Sequence, residues 1–422
     1  MAADKHTLTV LDPGHFHAAL TLRQRHPRLS DDVFVYASNG PDLDNFLRMV
    51  GTFNERADNP TRWSLHVYRG EDHFERLRSE RRGDIVIIAG KNDSKMASIR
   101  RLHGDGFFVL GDKPWLIDPG ALGIMEETVA TPPLAMDIMT ERHEIANRLQ
   151  VALTSYPRVF GHLRDDAGQP AISIASVHHL YKIVNGAPLV RPAWVFDVRV
   201  QGEGMTDVTT HLVDLAQWMI GGRQTFDFDH DIELLSARQW PTSVPRDIFT
   251  RITGLDDFPG ALRHRVANGM LSYLCNAAIS FRLRGITVAI ESRWSLAAPA
   301  GGGDTHYALV HGTAADLLVE QSARTRYVTE VTVQPVAGDA GYAAELGSAI
   351  ESLRLSFPGV GLQPSAGEFR VTIPPSLRTT HEQHFSKVLD QFLCHIDGGE
   401  LSVNYGPDLV TRYRLLMHAA EQ

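Results

Sequence analysis

Thr7-Leu8-Thr9-Val10-Leu11-Asp12-Pro13-Gly14-His15-Phe16-His17-Ala18-Ala19-Leu20 decides how this chain folds. Its first five residues form an apolar β run, Asp12-Pro13-Gly14 makes a tight turn, and the rest opens a helix expected to end near Pro27. The same unit then recurs. Further β runs at 33–36, 63–68, 84–89, 107–110 and 134–139 alternate with helical stretches at 42–50, 72–81, 94–103 and 118–129. Strands alternating with helices imply a parallel sheet covered on both faces. Ile85-Val86-Ile87-Ile88 is wholly apolar, as a strand buried on both sides must be. Residues 1–137 therefore read as a doubly wound α/β domain.

The rhythm changes after a helix at 141–154. β runs at 171–177, 194–200, 270–281, 287–294, 307–311, 316–320 and 327–333 follow with no helix between most of them. They predict a large, mostly antiparallel open sheet, with a helix over 207–220 packed on it and loops at 300–303 and 303–306. Helices at 342–356, 381–396 and about 407–420 close the chain. The expected α+β domain spans 138–375, and the helices of 376–422 pack back on the body.

Composition bounds the partners. A chain of 422 residues is too long for one core, so two large domains are the default. The net charge of -9, with no basic block, argues against nucleic acid and anionic membrane, which both need clustered Lys and Arg. Cys275 and Cys394 are the only cysteines, so no disulfide framework is expected and a reducing cytoplasm fits. No signal-peptide pattern and no apolar run near 20 residues is visible. The 20 histidines are scattered. His381-Glu382-x-His384 has poor metal spacing, and no metal is expected.

Several segments carry chemistry. A dinucleotide turn uses glycines to bend tightly, to admit pyrophosphate and to pack helix on strand. Here those three positions are Asp12, Gly14 and His17, so only the middle one is glycine, and a carboxylate at the first repels phosphate. Gly14 still lets an anion approach, and His15 and Phe16 follow where they can cover a cofactor. Ser38 and Asn39 end the second strand in place of a ribose-binding acid. Asp42 is nearby but late, which leaves NAD against NADP open. Gly111-Asp112-Lys113-Pro114 sets Lys113 at the carboxyl edge of a parallel strand, where ligands bind such sheets. In Gly202-Glu203-Gly204-Met205-Thr206-Asp207-Val208-Thr209-Thr210-His211-Leu212-Val213-Asp214, helical spacing puts Asp207, His211 and Asp214 on one side. A carboxylate can fix the imidazole's tautomer and raise its basicity; equally, Asp207 can be a helix cap beside a half-buried histidine. His178 and His179 face opposite sides of a β run, so at most one points into a cleft. His178, Lys182, Arg191 and Trp194 are candidate substrate contacts.

Together these segments resemble the Gfo/Idh/MocA family of nicotinamide-dependent oxidoreductases. Gly111-Asp112-Lys113-Pro114 is similar to the family's Glu-Lys-Pro motif, with Asp112 for Glu. Asp207-x-x-x-His211-x-x-Asp214, leading to Trp218 and Gly221-Gly222, is similar to its Asp-x-x-x-His motif. The wording of 12–19 and 202–215 also resembles a subgroup of oxidoreductases with its own C-terminal domain. The resemblance implies a Rossmann domain followed by a domain with a large open sheet, and NAD or NADP as cofactor. It implies catalytic roles for Lys113, Asp207 and His211. The cofactor would meet Asp12, Gly14, His15, Phe16, Ser38, Asn39, Asn92 and Lys113. The substrate, a sugar, sugar acid or glycoside, would meet His178, Lys182, Arg191, Trp194 and Asp207. A homodimer or homotetramer is expected by the same analogy. Two rival outcomes are glycoside cleavage by transient oxidation and elimination, and a non-catalytic nucleotide- or sugar-binding protein.

Overall fold

The computed structural model describes residues 5–165, 168–184, 187–222, 224–337, 341–401 and 404–422. The chain divides into two compact units. The first comprises Met1–Thr140, Val190–Gly202 and Thr380–Met417; the second comprises Glu141–Leu189, Glu203–Thr379 and His418–Gln422.

In the first unit six strands run parallel: β1 (His6–Leu11), β2 (Leu29–Ala37), β3 (Ser64–Arg69), β4 (Ile85–Ile88), β5 (Phe108–Asp112) and β6 (Ala135–Ile138). Their order is β3-β2-β1-β4-β5-β6. Leu8 pairs with Val33 on one side and Ile85 on the other, so the order reverses at β1/β4, the switch point where such sheets take ligands. The connecting helices include α1 (His17–Thr21), α2 (Pro41–Glu55), α3 (His73–Glu80) and α4 (Lys95–Gly104). α2 shows why they form. Pro41 starts it, Asp42 and Asp44 complement the dipole of its first turn, and Leu43, Phe46, Val50 and Phe53 recur at helical spacing to face the core.

Two late helices complete this unit. His381–Ile396 opens with a capping box between Thr380 and Gln383 and buries Phe385, Leu389 and Phe392 against Val10, Val35 and Phe46. Tyr405–Ala420 puts Tyr413 and Leu409 on the other sheet face beside Val86 and Trp115. The Tyr413 hydroxyl accepts the Trp115 N–H at 2.7 Å.

The second unit holds the large sheet. Its strands run, in order, Ile232–Pro245, Met270–Leu283, Ile286–Ala297, β7 (Ile172–Tyr181), Thr305–Val310, Ala315–Gln321, Glu330–Pro335, Glu368–Thr372 and Gly361–Ser365. All neighbours are antiparallel except the Ile286–Ala297/β7 pair. The helix Thr209–Gly221 buries Leu212, Val213, Leu215 and Ala216.

Three expectations fail locally. The run at 194–200 is not a strand: Ala193–Phe196 and Val198–Gln201 are short helices. Pro192 precedes the first, and the Asp197 side chain caps the second by accepting the Arg199 N–H at 3.1 Å. The helix expected to reach Pro27 stops at Thr21. Thr305 and His306, expected in a loop, begin a strand. The edge strand Ile232–Pro245 was not expected at all, because apolar and polar residues mix along it without a long apolar run.

Candidate active site

The turn after β1 is built by side chains far away in sequence. Asp12 takes a φ of 41°, the left-handed backbone that the missing first glycine would supply. Its carboxylate accepts a hydrogen bond from His73 Nε2 at 2.6 Å. That bond raises the His73 pKa above 6.5, so the imidazole takes up a proton more readily and, when charged, screens the carboxylate expected to repel phosphate. Across the switch point a Cβ on Gly90 would lie 2.3 Å from the Asp12 carbonyl oxygen, so only glycine lets the β1 and β4 turns meet.

Gly14 faces a narrow slot. A Cβ there would come within 3.1 Å of Trp194 Cζ2 and 3.3 Å of Asp42 Oδ2. The Trp194 indole N–H donates to Asp42 at 2.9 Å. Burial raises the Asp42 carboxyl, and the indole hydrogen bond opposes that rise. Trp194 therefore lies over the glycine turn within the first unit, and the late Asp42 reaches back to the same place. Positive φ at Asp12, a screened carboxylate and a side-chain-free Gly14 at the switch point fit a dinucleotide.

At the third glycine position stands His17. Its Nδ1 lies 3.0 Å from both carboxylate oxygens of Asp112, and His15 Nδ1 lies 3.0 Å from Asp112 Oδ2. Burial drives the His15 pKa down and that of His17 to about 3, so both imidazoles are neutral at pH 7. Burial alone would raise the Asp112 carboxyl, but the hydrogen-bonded imidazoles hold it well below the usual range. Asp112 ends β5, and Lys113 follows with 9% of its surface exposed, so it is no loose turn lysine. The Lys113-Pro114 peptide is cis.

Asn92, expected at the cofactor, is buried; its amide donates to the Gln201 carbonyl at 2.7 Å and its oxygen accepts from Lys95 Nζ. Lys95, buried itself, also donates to the Asp112 carbonyl at 2.9 Å. Ser38 and Asn39 stand at the tip of β2, and Asn39 Oδ1 accepts from Arg69 at 2.8 Å. Arg191 is buried in this unit, close enough to His15 to lower its pKa, as Lys113 also does.

In the second unit the 203–214 segment is pinned to the sheet. Gly204 N–H donates to the Leu274 carbonyl at 3.1 Å, and a Cβ on Gly204 would lie 2.5 Å from the Cys275 carbonyl carbon. Met205 N–H donates to Gln239 Oε1 at 2.9 Å, and Gln239 Nε2 donates to Glu203 at 2.7 Å. Thr209 Oγ1 lies 2.7 Å from Ser292 Oγ. The helix begins at Thr209, with Val208 and not Asp207 as its cap residue. Asp207 is buried in the turn just before it, and His211, in the first helical turn, is half-buried. Arg142 clasps Asp214 through Nε at 2.7 Å and Nη2 at 2.8 Å.

His178 and His179 also depart from simple alternation. Both place Nδ1 near Asp304, at 3.3 and 3.0 Å, and Lys182 Nζ donates to it at 2.8 Å. Burial would raise the Asp304 carboxyl, yet these partners hold it far below its usual range. His306, buried beside them, is lowered to about 4. The structure thus groups His178 and Lys182 around one carboxylate in the second unit, while Arg191 and Trp194 belong to the first. Sequence reasoning missed His73, Arg142 and the pairing of His17 with Asp112. No local signal marks them, because their partners lie 61, 72 and 95 positions away.

Comparison with known proteins agrees with this architecture. Residues 149–422 match the family described as "Putative oxidoreductase C terminal domain". A putative oxidoreductase from Parabacteroides merdae is 39% identical, superposes with a TM-score of 0.95, and is covered over 97% of its length by 99% of this chain. Levoglucosan dehydrogenase in complex with NADH shares the fold at 13% identity and a TM-score of 0.61, covering 99% of this chain and 98% of that one. So does KijD10, a 3-ketoreductase from Actinomadura kijaniata in complex with NADP and TDP-benzene, at 13% identity and 0.58, covering 98% and 96%. No curated protein matches the sequence. The chain belongs to the oxidoreductase family that carries this C-terminal domain.

Proposed function

We propose that the protein uses NAD or NADP to oxidise or reduce a hydroxyl-bearing carbon of a sugar, sugar acid or glycoside. The observation that carries this reading is the buried Lys113 at the carboxyl end of β5, in a parallel sheet whose order reverses at β1/β4. Asp12, Gly14, His15, Phe16, Ser38 and Asn39 stand at the ends of β1 and β2, where they would hold the dinucleotide. Trp194, laid over Gly14, would cover it. The fold neighbours crystallised with NADH, or with NADP and a TDP-linked ligand, support the cofactor and the sugar-like substrate class.

Bound nicotinamide supplies the hydride acceptor or donor. In the oxidative direction His211 takes the hydroxyl proton at its imidazole. The Lys113 ammonium holds the same oxygen and stabilises the negative charge growing on it. Asp207, buried at the entry to the His211 helix, orients histidine and substrate. His178 and Lys182, gathered by Asp304, and Arg191 beside His15 are further substrate contacts in this reading. Assembly as a homodimer or homotetramer belongs to it too, because among the described residues the Ile232–Pro245 strand leaves one edge of the large sheet unpaired.

The test is a panel of sugars, sugar acids and glycosides assayed with both cofactors. At least one pair should turn over with net change in cofactor redox state, and His211→Ala should lower kcat by about 10²–10⁴-fold. Full turnover in His211→Ala refutes the acid/base role. Glycoside cleavage without net redox change moves the reading to transient oxidation and elimination.

A further inference from the structure

The cluster of His15, His17 and Asp112 has a geometry that cofactor contact does not require. We propose that these three residues form a binding site for one borderline divalent d-block cation, such as Zn²⁺, Co²⁺ or Fe²⁺. Its ligands are both Nδ1 atoms and the Asp112 carboxylate.

The donor atoms all lie within 4.8 Å of one another, and each imidazole Nδ1 is 3.0 Å from a carboxylate oxygen. Two ligands bound about 2.1 Å from one metal sit roughly 3.0–3.4 Å apart, depending on octahedral or tetrahedral angles. Two histidines and one carboxylate on one face also leave positions open for water or substrate. The ligands are held in place before any ion arrives. His17 packs its ring 4.5 Å from Phe385, the His15 and His17 rings meet edge to face at 4.0 Å, and Lys95 ties down the Asp112 main chain.

The proton balance also closes. Without metal, each Nδ1–H donates to Asp112. With metal, each neutral ring moves its proton from Nδ1 to Nε2 and the carboxylate stays ionised, so no net proton is released. Neither Nε2 has a hydrogen-bond partner among the described residues, so both can carry the transferred proton. Lys113 and Arg191 set the class of ion. Their positive charges act on His15, which opposes hard cations held mainly by electrostatics, such as Mg²⁺ or Ca²⁺. Borderline ions, whose bonds to imidazole are partly covalent, tolerate such neighbours better.

Binding needs no substrate, so its test is independent of the nicotinamide reading. Tag-free, full-length protein is stripped with a chelator, dialysed, and titrated with Co²⁺ by visible absorption and with Zn²⁺ by calorimetry. One equivalent per chain should bind with a micromolar or tighter Kd. Asp112→Asn and His15→Gln should each weaken binding by roughly tenfold or more. His15 is the less buried histidine, so its variant keeps the test alive if changes at His17 impair folding. No saturable binding up to millimolar ion overturns the proposal. So does binding unchanged in both variants, or binding lost in His381→Gln while Asp112→Asn retains it.

Discussion

The β1 turn and the 202–214 segment solve the same problem in opposite ways. Both hold groups of the proposed site rigidly at the end of a strand or the start of a helix. The 202–214 segment does it with backbone: Gly204 sits where any side chain would strike the Cys275 carbonyl, and main-chain hydrogen bonds fasten the entry to the His211 helix. The β1 turn has lost two glycines and does it with side chains. His73 screens Asp12, Asp112 takes up the imidazoles of His15 and His17, and Trp194 with Asp42 walls Gly14. A region that keeps its glycines is legible locally. A region that has replaced them depends on partners tens of residues away.

Substitutions can break this contrast. The largest structural effect should come from Gly204→Ala. Its Cβ must displace the 270–283 strand or the site turn, so we expect a loss of about 1–3 kcal/mol, read from thermal or urea unfolding, with activity falling beyond the stability loss. An unchanged midpoint would mean that the turn yields and that its glycine is not a packing requirement.

The β1 turn should respond more gently and with pH. His73 has a folded-state pKa raised above its ordinary 6.5, chiefly by the Asp12 hydrogen bond. Its contribution is therefore fully present below pH 6.5 and is lost as pH rises through the folded-state value. Cofactor affinity should weaken a few-fold over the same rise, as Asp12 loses its positive partner. His73→Phe should flatten that profile in both stability and binding titrations. A profile unchanged by the substitution would show that Asp12 is screened by something else.

Much of this was readable from sequence where period and punctuation agree. The apolar Ile85-Val86-Ile87-Ile88 strand, the alternation that sets the parallel sheet, Lys113 at the carboxyl edge and the helix bearing His211 all follow from local residues. What was hidden depends on tertiary partners. Asp214, spaced to share a helix side with His211, is clasped by Arg142, and no helical periodicity reveals a cation 72 residues upstream. Residues 194–200 look like a β run by hydrophobicity, but Pro192 and the Asp197 cap turn them helical and lay Trp194 on Gly14. The carboxylate of Asp12 reads as a fault in a phosphate site until His73 is seen beside it.

In the proposed reading this altered turn still receives a nicotinamide dinucleotide. It is tested most directly by titrating the purified protein with NADH and with NADPH, following nucleotide fluorescence and heat, in wild type and in Gly14→Val. Saturable binding of at least one of them is expected in the micromolar range. Because the valine must push against Trp194 and Asp42, Gly14→Val should weaken that binding by about tenfold or more. No binding of either nucleotide at millimolar concentration, or equal binding in Gly14→Val, would contradict it.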